Sequence, residues 1–158
     1  MASVQHSEGL PRSVRYEDLF RDLPAATRQA FERLEERSSY PQGATLFVED
    51  QLGSGVFILR EGSVRLAHSF APGAAVSAVI ALPGEILGVA ATVSGEPYES
   101  AAQTIEPSQV GFVSRRSLME FLREQNAVAF RLVQLLSDAM NSTLDRSRLL
   151  GLGADTKH

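Results

Sequence analysis

The sequence predicts a mainly β protein with flanking helices, whose β part is an antiparallel barrel or jelly-roll sandwich. Three observations lead to this fold class. Turn residues punctuate the middle of the chain at regular intervals. In the segment 63–70, Val64 and Leu66 alternate with polar neighbours, as in a strand with one dry face. From Ser114 onward the apolar residues take up a helical spacing that persists to the end of the chain.

The N-terminal part precedes the β region and is predicted to be helical. Residues 1–15 are polar and without periodicity, so we expect a flexible N-terminal arm. From Tyr16, apolar residues recur at three and four residues, which predicts two short helical segments ending near Arg37. Pro24 suits the first turn of a helix.

The β region is divided by turns that contain proline, glycine or acidic residues. They lie at 41–43, 50–55, 61–62, 72–73, 83–84 and 106–108. The candidate strands between them are 44–48, 56–60, 63–70, 75–82, 101–105 and 110–114.

The C-terminal part is predicted to form a short helix and then a long one. Ser114 can cap a helix over 115–123, and Asn126 can cap the long helix. The apolar stripe of the long helix is too wide for packing on one neighbour, so we expect one side to cover the β-fold and the other to meet a second copy as a coiled coil. The residues predicted to face that copy are Leu132, Leu136, Ala139, Thr143 and Leu150. The alternative to this homodimer is that the whole stripe packs within one chain.

The composition fits one globular domain and excludes several classes of protein. The 158 residues are 44% hydrophobic and 22% charged, which allows a sizeable core. The absence of cysteine rules out disulfides, thiolate metal sites and cysteine nucleophiles. A net charge of −4 with a single lysine argues against binding of a nucleic-acid phosphate backbone by this part of the protein alone. No signal-peptide core or run of about eighteen apolar residues is present, so we expect a soluble cytoplasmic protein.

The stretch from Pro83 to Pro107 has the outline of a short helix held inside a β-fold. It opens with a Pro-Gly turn and passes through Gly88 into a run of small apolar residues, 89–93. The free N–H groups at the start of such a helix can donate hydrogen bonds to an anionic ligand.

The order of these elements resembles the cyclic-nucleotide-binding domain superfamily, in particular the sensor half of CRP/FNR-type bacterial transcription regulators. The matching segments are PQG at 41–43, FILREGSVRL at 57–66, PGEILG at 83–88, ESAAQTIEPSQV at 99–110 and the long C-terminal helix, within residues 19–152. The resemblance implies a β-roll with N-terminal helices over 16–124, a dimerisation helix over 125–150, and a hinge or tail over 151–158. In such regulators a helix-turn-helix domain follows the hinge, and the chain ends too early to contain one.

The resemblance also implies that the stretch 83–107 is the phosphate-binding cassette. In nucleotide-binding members, a glutamate after the glycine matching Gly88 holds the ribose hydroxyl, and an arginine further on neutralises the cyclic phosphate. Val89 and Glu99 stand at those two positions, whereas the following serine is retained as Ser100. Ser147 lies near where family members reach over the ligand from the dimer partner.

These two exchanges disfavour the usual ligand. A hydroxyl facing Val89 loses a charged acceptor, and such a hydrogen bond is worth about 1.5–3 kcal/mol. At Glu99 a cation–phosphate pair becomes two anions, so together the exchanges lower the affinity on the order of a thousandfold. We expect no binding of cyclic AMP or cyclic GMP in the usual way, and the cofactor or effector is unknown.

The role of Glu99 has three alternatives. Its carboxylate is solvated at the rim of a pocket, pairs with an arginine such as Arg60 or Arg65, or meets a cationic or hydroxyl-bearing ligand.

Metal and catalytic sites have little support in the sequence. No His-x-His pair is present, which argues against a cupin-type metal site. His68 is either a half-exposed strand histidine or a haem ligand, as in some gas-sensing members of the superfamily. No nucleophile elbow, Ser-x-x-Lys pair or P-loop occurs, so we expect no enzyme.

Two functions are therefore carried forward. The first is an effector-sensing dimerisation domain of a transcription regulator, in which a small-molecule effector repositions attached DNA-binding domains. The second is a stand-alone module of the same fold that binds a protein partner and lacks a DNA-binding domain.

Overall fold

The computed structural model describes residues 14–69 and 76–155, and the side chains of 14–68 and 78–141. The described strands form a five-stranded antiparallel sheet, in the order β1–β7–β4–β9–β2, and a four-stranded one, in the order β3–β8–β5–β6. The strands are β1 (Val14–Arg15), β2 (Glu36–Tyr40), β3 (Thr45–Phe47), β4 (Gly55–Glu61), β5 (Val64–Ser69), β6 (Val76–Ala81), β7 (Glu85–Leu87), β8 (Ala101–Thr104) and β9 (Ser108–Ser114). The helices are α1 (Tyr16–Phe20), α2 (Ala25–Glu32), α3 (Val89–Ser94), α4 (Arg115–Glu124) and α5 (Asn126–Asp155). The expected antiparallel β-roll with flanking helices is confirmed.

Strand β4 explains how the two sheets and the helices are layered. Val56 and Ile58 belong to a core between the five-stranded sheet and the helices, which we call the helix-side core. Phe57 and Leu59 belong to a second core between the sheets, the roll-interior core. Because both faces of β4 are covered, its sequence is a continuous apolar run and does not alternate.

The predicted helix start after β9 is confirmed. The Ser114 Oγ accepts a hydrogen bond from the Ser117 N–H at 3.2 Å, which caps α4. Leu118, Phe121 and Leu122 on this helix are buried in the helix-side core, as their helical spacing predicts.

Three short strands were not predicted, and their pairing partners explain why. β1 occupies the end of the expected flexible arm, and residues 1–13 lie outside the described residues. β2 includes Arg37, where a helix end was predicted. Its five residues are polar and mostly exposed, so pairing with β9, and not an apolar period, makes it a strand. β7 has only three residues and is set by its pairs with β1 and β4.

The long helix extends further than the sequence suggests. α5 continues to Asp155, whereas a hinge was predicted from residue 151. Gly151 and Gly153 weaken a helix by about 1 kcal/mol each relative to alanine, but they do not forbid it. None of the helices within the described ranges is long and apolar enough to span a membrane. The predicted turn at 72–73 lies outside the described residues.

Candidate functional site

The predicted cassette helix is present as α3, between two glycines with left-handed backbone. Gly88 has φ 79° and leads from β7 into the helix, and Gly95 has φ 76° and ends it. Thr92 anchors the helix to β4, because its Oγ1 donates to the Gly55 carbonyl at 2.8 Å. At the far end, the Arg115 Nε donates to the Thr92 carbonyl at 2.8 Å. The cassette is therefore tied to β4 and to α4.

Tyr98 fills the roll interior beside the cassette. Its ring is 3% exposed and stacks on Phe47, with centroids 4.1 Å apart and an interplanar angle of 19°. Its hydroxyl donates to the Gly55 carbonyl at 2.7 Å and accepts from the Ser54 N–H at 3.2 Å. A Cβ added to Gly88 would lie 2.7 Å from the Tyr98 ring, so the glycine permits this close approach.

Val89, which the resemblance places at the position of the family glutamate, faces away from the roll interior. It is 7% exposed and lies in the helix-side core, in the same cluster as Leu19 and Leu132. A glutamate placed here would be buried among apolar side chains unless the backbone moved.

Glu99 and Ser100 directly precede β8, and we call the site that they form with His68 and Glu49 the mouth. Glu99 is exposed and Ser100 is half-buried. The imidazole of His68 lies next to Glu99, because its Nδ1 is hydrogen-bonded to the Glu99 carbonyl oxygen. The Glu49 carboxylate is 3.6 Å from the same Nδ1. The mouth thus brings together one imidazole and two carboxylates, a set that opposes a phosphate more than it attracts one.

Arg60 is committed to a different cluster, so it is not the partner of Glu99. Its guanidinium pairs with Glu35, whose side chain is fully buried, and lies 4.4 Å from the ring centroid of Tyr16. Burial raises the pKa of the Tyr16 phenol above its usual value, against the opposite effect of Arg60. Among the described residues, the Glu99 carboxylate forms no ion pair, which fits the solvated alternative.

Two concave regions of the described structure lie away from this mouth. One is an apolar cavity of about 10 Å³ in the helix-side core, lined by Val89, Leu132 and eight other residues. The other is a shallow groove bounded by Gln29, Glu32 and Arg33. Neither is lined by Gly88, Glu99 or Ser100. In the part of the chain that is described, no three potential metal ligands cluster together.

Part of the predicted dimer face of α5 is buried within its own chain. Leu132 is 4% exposed in the helix-side core, and Leu136 is half-buried against it, so both cover the roll of their own chain. Three other apolar residues are exposed: Phe130 at 67%, Val133 at 60% and Met140 at 63%. The side chains of Thr143, Ser147 and Leu150 lie outside the described residues, and Ala139 is half-buried.

Sequence reasoning missed the residues that pack beside the cassette helix and the mouth. Tyr98 lies in a polar turn without apolar periodicity, although an aromatic residue there is itself a signal of burial. Phe47 was assigned only to a strand, and its stack on Tyr98 depends on the pairing of β3 with β8. No local pattern places Glu49 beside His68, since both positions are set by the closure of the roll.

The comparisons with known proteins agree with the observed fold. The model of the cyclic nucleotide-binding domain family matches residues 37–125, more than half of the chain. The transcriptional activatory protein AadR of Rhodopseudomonas palustris is 28% identical over 82% of this chain and 53% of its own length. The cyclic AMP receptor protein of Thermus thermophilus is 26% identical over 65% of this chain and 47% of its own length.

Solved structures share the fold. The catabolite activator protein of Thermus thermophilus superposes with a TM-score of 0.78 at 23% identity, over 85% of this chain and 63% of that one. The N-terminal domain of a Streptomyces coelicolor transcriptional regulator superposes with a TM-score of 0.68 at 19% identity, over 82% of this chain and 90% of that one. The chain spans about half the length of the curated relatives it matches. These relatives are CRP/FNR-type regulators, and the chain belongs to the cyclic nucleotide-binding domain family.

Proposed function

We propose that this chain is the effector-sensing and dimerisation domain of a CRP/FNR-like transcription regulator, and that it does not bind cyclic AMP or cyclic GMP in the usual way. Family membership, the intact cassette backbone and the long α5 support the first part. The relatives are transcription regulators by name. We therefore propose that the protein acts in the cytoplasm, where bacterial DNA lies, and that it catalyses no reaction. DNA would be contacted through a helix-turn-helix domain outside this chain.

The observation that carries the second part is the buried Tyr98 ring, stacked on Phe47 next to Gly88. Its hydroxyl is already hydrogen-bonded to the backbone of β4, so the protein's own side chain occupies space at the cassette. Glu99 adds an anion at the position where the family holds a phosphate. Val89 turns away from the roll interior and offers no acceptor to a ribose.

Isothermal titration calorimetry with cyclic AMP and cyclic GMP tests this proposal directly. We expect no binding by the wild type in the micromolar range, because about a thousandfold of affinity is lost with the two family side chains. Micromolar binding by the wild type would contradict the proposal. The variants Glu99→Arg and Glu99→Gln then report the cause of the block. Binding by the arginine variant alone assigns it to charge, and binding by neither assigns it to the filled roll interior or to the missing acceptor at Val89.

Dimerisation is proposed to use the exposed apolar residues of α5. Phe130, Val133 and Met140 are spaced by three and seven residues, so they lie along one face of the helix. This face points away from the helix-side core, and pairing it with a second copy would remove the apolar side chains from water.

Light scattering after size-exclusion chromatography tests the dimer. We expect the wild type to elute as a dimer, and the triple variant F130S/V133S/M140S to elute as a folded monomer. Gln134→Ser, also on the exposed side of α5, is the matched control and should remain dimeric. A monomeric wild type, or a triple variant that still dimerises, would contradict this interface.

A stand-alone interaction module is the second candidate, and the filled roll interior favours it because such a domain needs no effector. Sequencing the gene past His158 separates the two functions. A following helix-turn-helix supports the regulator, and a stop codon supports the module.

A further inference from the structure

A short N-terminal segment, residues 14–21, contacts both the cassette and the long helix, and we call it the N-terminal bracket. Its first two residues form the strand β1 on the edge of the five-stranded sheet. Val14 pairs with Ile86 and Arg15 with Glu85. The Tyr16 N–H donates to the Gly84 carbonyl at 2.7 Å. The bracket is therefore fixed to β7, the strand that runs directly into Gly88 and the cassette helix.

Its second half is held by one arginine of α5. The Arg131 Nη1 donates to the carbonyl oxygens of Asp18 and Arg21, both at 2.9 Å. Carbonyls at the end of a helix lack partners within the helix, so a cation that reaches two of them joins the end of α1 to α5. Both hydrogen bonds come from a charged donor, which makes them stronger than neutral ones.

Apolar packing connects the same three parts. Leu19 of the bracket, Val89 of the cassette helix and Leu132 of α5 all line the small cavity in the helix-side core. A well-packed core transmits displacement between its members, because voids that could absorb it are small. The bracket thus meets the cassette through β7 and Val89, and meets α5 through Arg131 and Leu132.

We propose that the N-terminal bracket is the mechanical link between the cassette and α5, and that Arg131 is its latch. A change in the position of β7 shifts the bracket, and the latch passes that shift to the start of α5. By the reciprocity of coupled equilibria, loosening the latch also loosens the pairing of the bracket with β7. This coupling does not depend on which effector binds, or on whether one binds at all.

Hydrogen exchange of assigned backbone amides, measured by NMR on the whole chain without added ligand, tests the link. The variant is Arg131→Met, which keeps an unbranched side chain and removes the donors. The matched control is Arg123→Met, an exposed arginine at the end of α4. The reporters are the Tyr16 amide, which bonds to Gly84 in β7, and the Ala129 amide at the start of α5.

We expect both reporters to exchange about tenfold faster in Arg131→Met than in the control, a change of about 1.4 kcal/mol in local opening. Amides of the β4–β9 pairs should keep their wild-type rates, which separates local release from global destabilisation. Faster exchange at Ala129 with an unchanged Tyr16 amide would overturn the link. Equal acceleration of the β4–β9 amides would overturn it as well.

A second variant tests the link from the bracket side, independently of any misfolding caused by Arg131→Met. Val14→Ala trims a buried side chain of the bracket far from Arg131 in sequence. It should speed exchange at the Ala129 amide, because the link works in both directions. An Ala129 amide that keeps its wild-type rate in a folded Val14→Ala protein would contradict the proposal.

Discussion

We expect replacement of Val89 with glutamate, the residue that the family resemblance implies at this position, to destabilise the fold. Val89 is 7% exposed in the helix-side core. Losing the burial of a valine costs about 1.5–3 kcal/mol. Burying a carboxyl group without a partner adds about 1–3 kcal/mol. The free energy of unfolding should fall by roughly 3–5 kcal/mol, a large part of the usual 5–15 kcal/mol.

The assay is urea unfolding followed by circular dichroism, together with thermal melts. For a chain of this size each kcal/mol shifts Tm by roughly 2–4 °C, so Tm should fall by roughly 6–20 °C. Two controls separate the contributions. Val89→Ala reports the cavity alone, and Val89→Gln reports the buried polar group without the charge.

The pH dependence gives the sign of the effect. Burial raises the pKa of a carboxyl group above its unfolded value of about 4.3, because the charged form is disfavoured. The folded variant therefore binds a proton more tightly than the unfolded chain. Relative to Val89→Gln, the Val89→Glu protein should be least destabilised below the unfolded pKa of about 4.3. It should lose stability as the pH rises above that value. A Val89→Glu protein with the wild-type Tm and no pH dependence would refute the placement of Val89 in the core.

Three further substitutions test other parts of the structure. Gly88→Ala should destabilise more than Gly95→Ala. Both glycines have a left-handed backbone, which costs an alanine about 1–2 kcal/mol, but only at Gly88 does the added Cβ meet the Tyr98 ring. Equal unfolding free energies of the two variants would contradict that contact. Tyr98→Phe should lower the unfolding free energy by about 1–3 kcal/mol in urea, because the Ser54 N–H and Gly55 carbonyl lose a buried partner; a cost below about 0.5 kcal/mol would show that the hydroxyl is dispensable. Glu35→Gln should cost about 3 kcal/mol, since its buried carboxylate pairs with Arg60, whereas the exposed control Glu120→Gln should stay within about 0.5 kcal/mol; similar losses in both would argue against the buried pair.

The central strands and the capped helix could be predicted because their signals are local. Ser114 lies where a capping serine must lie, and the apolar spacing that follows it is helical. The strand β5 shows its one dry face in the alternation around Val64 and Leu66. β2 and β7 could not be found in this way. They are strands because β9 and β4 offer them backbone partners across the fold.

For the candidate site, too, the position along the chain could be predicted, whereas the directions of the side chains could not. The order of motifs located the cassette between Pro83 and Pro107, where α3 lies. The direction in which each side chain points was not available from spacing. Leu132 was expected to face a second copy and is buried in its own chain, because β4 and α1 supply the apolar neighbours of that side of α5.

The sequence by itself determined the family and the fold class, and it predicted that Val89 and Glu99 replace the two charged side chains that the resemblance assigns to nucleotide binding. These follow from residue identity and from the order of the motifs. Only the tertiary structure decided that Tyr98 occupies the roll interior beside Gly88 and that Val89 faces the helices. It also decided that Arg131 joins α5 to the bracket. The physical reason is that burial and hydrogen bonding depend on which distant segments close around a residue, and local patterns carry no information about that closure.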